Sequence, residues 1–348
     1  FFFAHFRAVH HGLGMSSRWS PTAVVATAGA VAVSLYSILQ YTVHVQRKRE
    51  QAVRDSTYDM VIDITGNPER VPWAVQIHNW YEHDVDALGV CVLGDFKVGK
   101  TFLINHLCNL NLASIESIHT KGLSFKRGNP PRHQVVWIDT AGHGCPVDIR
   151  CETVSDRKKS EGFLNDLAYS LADVRIIVVS SCKLRDQQFI QATHRRIQAD
   201  NTPGKDLLIV VHNYSRISDP DTLEAAFQND VVRQFNIQEV VIPYRFQGSR
   251  QKRFWVDRTD RLPVYHLFLG QNGSRAGHKF NEATFNAIFD FCVDRLGYNI
   301  RHNFIDNTIQ LANHGRLAEH YQCTRQVYYN PDRQQIEVDM DTGEPSPE

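Results

Sequence analysis

The sequence predicts an α/β protein, a three-layer sandwich around a mostly parallel sheet, preceded by an N-terminal membrane-spanning helix. Three observations carry that expectation. From Leu88 onward, short apolar runs alternate with helix-like stretches, the element order that builds a parallel sheet with helices on both faces. One of those runs enters a glycine-rich loop that opens directly into an apolar helix. Finally, the 28 residues between Arg18 and Arg47 contain no Asp, Glu, Lys or Arg.

The uncharged segment comes first in the chain. Thr22–Val45 is 24 residues, about 36 Å as a helix, enough to span a bilayer. Trp19 and Tyr41 lie near its ends as interfacial anchors, and Arg47-Lys48-Arg49 follows at once. Positive charge on that side places the remainder of the chain in the cytosol as a single-pass protein. Ala, Thr, Ser and Gly make the span weakly hydrophobic, so a buried helix or an acid-poor targeting leader shares its composition. Residues 1–21 read as an unstructured leader, with Met15 as the start and 1–14 as flanking sequence. Residues 46–87 read as an irregular lead-in.

The main domain is expected over residues 88–300. Its strands are Leu88–Leu93, Gln134–Asp139, Val174–Ser180, Leu207–His212 and Val264–Leu269, with a shorter edge piece at Leu123–Lys126. Helices fall between them at Thr101–Cys108, Ser160–Ser170, Arg185–Gln198, Pro220–Phe235 and Asn281–Leu296. Asp219 caps the fourth, with Pro220 at its first position. In the last, Phe285, Ile288, Phe289, Cys292, Val293 and Leu296 recur at helical spacing, one apolar stripe against a sheet. Residues 301–330 read as a helical extension. The tail 331–348, with six acids against Arg333 alone, reads as disordered.

Composition sets outer limits. With 348 residues, 42% apolar and 22% charged, the chain holds a sizeable core. A formal net charge of +0 argues against nucleic acid as a partner. Seven scattered cysteines with no CxxC pair read as reduced thiols rather than a disulfide framework. His143, Cys145 and Cys151 lie close in sequence, but a zinc-like fourth ligand is missing. The basic run Arg245–Arg261, with Phe246, Phe254 and Trp255 interleaved, reads as a solvated loop before it reads as a phosphate or lipid contact.

The chemistry begins at Gly94-Asp95-Phe96-Lys97-Val98-Gly99-Lys100-Thr101, which fits G-x-x-x-x-G-K-[ST] in its strand–loop–helix setting. Glycines let backbone N–H groups turn in around a phosphate, and the next helix presents its positive end. Lys100 is expected on the β- and γ-phosphates and the Thr101 hydroxyl on Mg²⁺. About forty residues on, a second strand ends in Asp139-Thr140-Ala141-Gly142. Asp139 there can hold Mg²⁺ through water, and the Gly142 N–H can meet a γ-phosphate. Between them Thr120, in Thr120-Lys121-Gly122, is a third candidate metal ligand. His143 directly after the DxxG is a candidate to orient an attacking water.

Together, Gly94–Thr101, Thr120–Gly122 and Asp139–Gly142 resemble the G1, G2 and G3 elements of a P-loop GTPase. The combination is similar to the dynamin-related group, particularly the atlastin and guanylate-binding branch. Over residues 88–297 the resemblance implies a Mg²⁺-dependent GTP-hydrolysing domain with a sheet of about six strands. It also places Lys97 where that branch carries an arginine finger, and His212-Asn213 where it recognises guanine with an Arg-Asp pair. Asn213 replaces a carboxylate that would accept two hydrogens from the base edge. Guanine preference is therefore drawn from the switches rather than from the base site.

The expected function is a membrane-anchored GTP-binding switch. Its expected partners are guanine nucleotide, the lipid bilayer, and a homodimer mate or effector protein. Two other readings stay open, a nucleotide-binding interaction module with little hydrolysis and a P-loop ATPase.

Overall fold

The computed structural model describes residues 36–46, 48, 57–64, 73–78, 85–110, 112, 122–128, 134–144, 146–147, 153–180, 182–200, 207–235, 237–243, 251–258, 262–295, 301–314 and 327–338. The chain divides into two units, Phe1–Val53 and Arg54–Glu348. In the first, residues 36–46 are helical, with Tyr36, Ile38, Leu39 and Tyr41 exposed. Most of the expected span Thr22–Val45 lies outside the described residues. Among those described, no helix is long and apolar enough to cross a membrane.

In the second unit the parallel core forms from the expected runs. β4 (Leu88–Leu93), β6 (Val135–Thr140), β7 (Val174–Val179), β8 (Leu207–Asn213) and β11 (Val264–Leu269) lie in the order β6-β4-β7-β8-β11 with every pairing parallel. β4, β6, β7 and β8 are buried along their whole length. Alternate side chains serve opposite layers, as the period of two requires. Cys91 and Leu93 pack with Phe163, Leu167 and Ile190 from α2 (Val154–Leu171) and α3 (Leu184–Asp200). Val90 and Val92 pack with Leu103, Ile104 and Ile288 from α1 (Lys100–Cys108) and α5 (Arg275–Val293). Burial of each large apolar side chain contributes roughly 1.5–3 kcal/mol, and that two-sided burial fixes register here.

The expectation of a mostly parallel sheet is corrected. Among the described residues the sheet has 12 strands in the order β13-β14-β2-β1-β5-β6-β4-β7-β8-β11-β10-β9, and it is mixed. Both flanks of the parallel core are antiparallel. On one side stand β5 (Leu123–Arg127), β1 (Met60–Asp63), β2 (Trp73–Ile77), and the hairpin β13 (Val327–Asn330) and β14 (Gln335–Val338). On the other, β10 (Gln251–Asp257) pairs antiparallel with both β11 and β9 (Gln238–Pro243). Leu123–Arg127 is thus no edge, because β1 covers its free side. The lead-in contributes β1, β2 and the short β3 (Val85–Asp86), which pairs with β12 (Arg301–His302). Part of the basic run is strand β10, and the supposed disordered tail supplies β14. These pieces lack the continuous apolar run of the core strands, so no local periodicity marked them.

The remaining helices refine expectation by a turn. α4 (Pro220–Phe227) continues through a wider π turn, Gln228–Val232, into Arg233–Phe235, and Asp219 accepts from Thr222 N at 3.0 Å as its cap. α5 begins earlier than expected because Ser274 caps it through Gly277 N at 3.1 Å. In the extension, α6 (Phe304–Asn313) packs Phe304 against Phe125.

Candidate nucleotide-binding site

β4 is the central strand at which the topology turns, since the chain next builds β5 and β6 on one side before returning to β7 on the other. Ligands of open α/β sheets bind in the crevice beyond the carboxyl ends of strands at such a point. Gly94–Thr101 lies there, at the end of β4. Gly99 is the N-cap of α1 with φ 101, and a Cβ on it would lie 2.4 Å from Asn213 Nδ2. Only glycine admits both that backbone and that neighbour.

Lys100 is buried, and its ammonium donates to carbonyl oxygens of the loop itself, Asp95 O at 2.8 Å and Gly94 O at 3.3 Å, and to Ala141 O at 3.5 Å. The cation is thus held within the loop by backbone carbonyls. The Asp139–Gly142 segment is docked against the same loop. Phe96 N donates to His143 O at 2.8 Å and His143 N to Gly94 O at 3.3 Å, forming a parallel bridge between Asp95 and His143. Gly142 has φ +87, and a Cβ there would lie 2.3 Å from Lys100 Nζ. The structure therefore brings Gly94–Thr101, Asp139, Gly142 and His143 into one place.

Asp139 is fully buried at the end of β6. Its Oδ2 accepts from Thr101 Oγ1 at 3.1 Å and from the Tyr58 hydroxyl at 2.5 Å. Burial raises its carboxyl above the ordinary range, against the lowering influence of Lys100 and the two hydroxyls. Thr101 and Asp139 present converging hard oxygens, a donor set that fits Mg²⁺. Thr120, expected to join them, lies outside the described residues, as do Cys145 and Cys151. Among the described residues no group of three His, Cys, Asp or Glu side chains could hold a metal ion on its own.

His143 is half-buried and edge-on to Phe189 of α3, with ring centroids 5.3 Å apart. Asn165 Nδ2 on α2 donates to Glu161 O at 2.5 Å and lies 3.4 Å from His143 Nδ1. An amide held as donor leaves Nδ1 to accept, so the imidazole proton belongs on Nε2. Nε2 is buried and has no hydrogen-bond partner among the described residues. Burial lowers the His143 pKa, with Glu161 and Asp95 pulling the other way, so the ring is neutral at pH 7. Lys97 is exposed at φ 62, its ammonium 5.3 Å from the Phe96 ring centroid.

The base end departs from expectation. Asn213 Nδ2 donates to Val98 O at 2.8 Å, tying the end of β8 to the phosphate loop. His212 is not brought to the loop at all. Its side chain, 1% exposed, stacks on His266 with Nε2 3.0 Å from His266 Nδ1. Strand alternation dictates this, since neighbours on a strand face opposite ways. Tyr58, Asn165, Glu161 and Arg185 all border the site, and sequence reasoning missed every one. Each reaches it across a long sequence separation, and none sits in a recognisable spacing.

Residues 89–213 match the family model described as 50S ribosome-binding GTPase. A heat shock protein of Dictyostelium discoideum is 25% identical over 265 residues, covering 66% of this chain and 39% of that protein. The chain thus spans about two fifths of the length of that curated relative. Among solved structures, the G domain of the T. maritima FeoB iron transporter aligns at a TM-score of 0.31 and 12% identity, over 59% of this chain and 99% of that one. Residues 89–213 are thus similar to a P-loop GTPase domain.

Proposed function

We propose that the chain is a GTP-hydrolysing switch in which the Asp139–His143 segment senses the γ-phosphate. The observation that carries this reading is the docking of that segment on the loop through Phe96 N, His143 N and the Lys100 ammonium. A triphosphate entering the loop competes for Lys100 and meets Gly142 N–H, so the segment has two arrangements that nucleotide can bias. Thr101 and Asp139 would hold Mg²⁺, which supplies neutralisation of charge on the phosphate oxygens. His143, neutral with its proton on Nε2, acts as a hydrogen-bond donor that positions water or a phosphate oxygen, and Asn165 fixes that tautomer. Asn213 serves the site by bracing the loop. As an amide bonded to Val98 O it does not support the base-recognition part of the dynamin-related resemblance.

The test is single-turnover GTP hydrolysis by the full chain with Mg²⁺. Replacement His143→Ala is expected to slow phosphate release by about 10²-fold with little change in GTP affinity, and Lys97→Ala to cost less. An unchanged rate in His143→Ala would favour the interaction-module reading, and equal use of ATP would favour an ATPase. Membrane anchoring is a separable part of the proposal. It is supported by the acid-free stretch before Glu50 and by the exposed apolar residues of helix 36–46. Extraction of the full chain from vesicles by alkaline carbonate would count against it.

A further inference from the structure

We propose that Arg185 is this site's arginine for transition-state charge, supplied in cis and parked on Asp95 until triphosphate binds. The inference rests on the GTP-hydrolysis reading above. It answers a gap in the sequence, where the phosphate loop carries Lys97 and no arginine.

Arg185 stands in the first turn of α3, just beyond the carboxyl end of β7, and its Nη2 pairs with Asp95 Oδ2. Asp95 is the second residue of the phosphate loop. Its own carbonyl receives the Lys100 ammonium, and its backbone forms the bridge to His143. One residue therefore touches the guanidinium, the phosphate-binding lysine and the segment proposed to sense the γ-phosphate.

The pair is not needed to hold the fold. The Arg185 side chain is 65% exposed and that of Asp95 34%, and ion pairs in such positions add little to stability. Releasing the guanidinium is correspondingly cheap. Within a loop built to attract phosphate, the Asp95 carboxylate is a misplaced charge, and Arg185 cancels it. Triphosphate brings several negative oxygens into the same crevice and competes with that single carboxylate for the planar fork, which pairs with phosphate in two parallel bonds.

In the reaction, a water oxygen forms a bond to the γ-phosphorus while the bond from that phosphorus to the β–γ bridging oxygen breaks. The electron pair leaves on GDP, and the water proton ends on inorganic phosphate. Negative charge is spread over the γ and bridging oxygens during transfer, where a guanidinium acts. His143 positions the water side, and Arg185 faces the phosphate side. Lys97 is then a solvated loop residue.

The test compares three variants of the full chain in single-turnover GTP hydrolysis, with binding of fluorescent GDP, alone and with aluminium fluoride, as a second readout. Arg185→Ala is expected to slow hydrolysis at least about tenfold, toward the 10³-fold scale of arginine fingers. It should also lose the GDP–aluminium fluoride complex while binding GDP normally. Arg185→Lys should recover only part of the rate. Asp95→Asn, which frees the guanidinium, should raise the rate above that of the unaltered chain. Opposite effects from the two partners of one ion pair separate this role from a structural one. A loss below tenfold in Arg185→Ala, or equal slowing in Asp95→Asn, overturns the inference. Absence of GTP turnover by the unaltered chain overturns the hydrolysis reading beneath it.

Discussion

The two ends of the crevice are built differently. At the phosphate end, backbone groups and one buried ammonium are gathered by short-range geometry, with Lys100, Gly94, Asp95 and Gly142 all within contact. At the end of β8, where base recognition was expected, the side chains are engaged elsewhere. His212 faces the core to stack on His266, and Asn213 spends its amide on Val98 O. On the proposed reading the loop carries phosphate recognition, and base recognition falls to groups other than His212 and Asn213.

The largest expected effect strikes the phosphate end. Lys100→Ala removes the cation and leaves the Gly94 and Asp95 carbonyls facing an anion. It should weaken nucleotide binding by about 3 kcal/mol or more, over a hundredfold, in a fluorescent-GDP titration.

Acid should strike the base end. Burial holds His212 well below its ordinary pKa and His266 down to about 4. Both are neutral in the fold but protonate near 6.5 when unfolded. Unfolded chain binds more protons in that window, so stability is full above about pH 6.5 and is lost as pH falls toward 4. The loss is about 1.4 kcal/mol per pH unit for each ring. Urea unfolding at pH 7 and pH 5 should show a drop of about 2 kcal/mol or more, and His266→Phe should flatten it.

Smaller effects sharpen the contrast. Gly142→Ala sets a Cβ 2.3 Å from Lys100 Nζ and 2.7 Å from Gly94 O at φ +87. It should cost about 2 kcal/mol in thermal unfolding, because the segment can no longer dock. Asn213→Ala removes one buried hydrogen bond and should cost about 1 kcal/mol. Asn213→Asp should be worse, since it sets a carboxylate against the Val98 carbonyl. A gain of guanine selectivity in Asn213→Asp would instead restore the base-recognition role first expected of that position.

What was legible in the sequence follows the same division. The core strands β4, β6, β7, β8 and β11 announced themselves as mostly apolar runs, because burial on both faces disfavours polar positions. Gly94–Thr101 was legible because phosphate binding needs fixed residue types at fixed spacing. The antiparallel flanks were not, since β1, β2, β13 and β14 are only four or five residues each and carry polar residues within that length. Tyr58, for example, reaches Asp139 only because Asp59 is buried in an ion pair with Lys126 at 2.9 Å and accepts from Arg127 N at 2.8 Å. No local pattern encodes that placement. His212 shows the reverse: the sequence singles it out because it closes an apolar strand where the resembling branch has an Arg-Asp pair, while strand alternation sends its ring into the core.

The most direct test of the central claim, a GTP-binding site centred on Gly94–Thr101, is equilibrium binding of GTP and ATP to the full chain with Mg²⁺, alongside Lys100→Ala. The account predicts GTP binding at least about tenfold tighter than ATP, a difference of about 1.4 kcal/mol, and loss of both in Lys100→Ala. Equal affinity for ATP, or binding that survives Lys100→Ala, would contradict it.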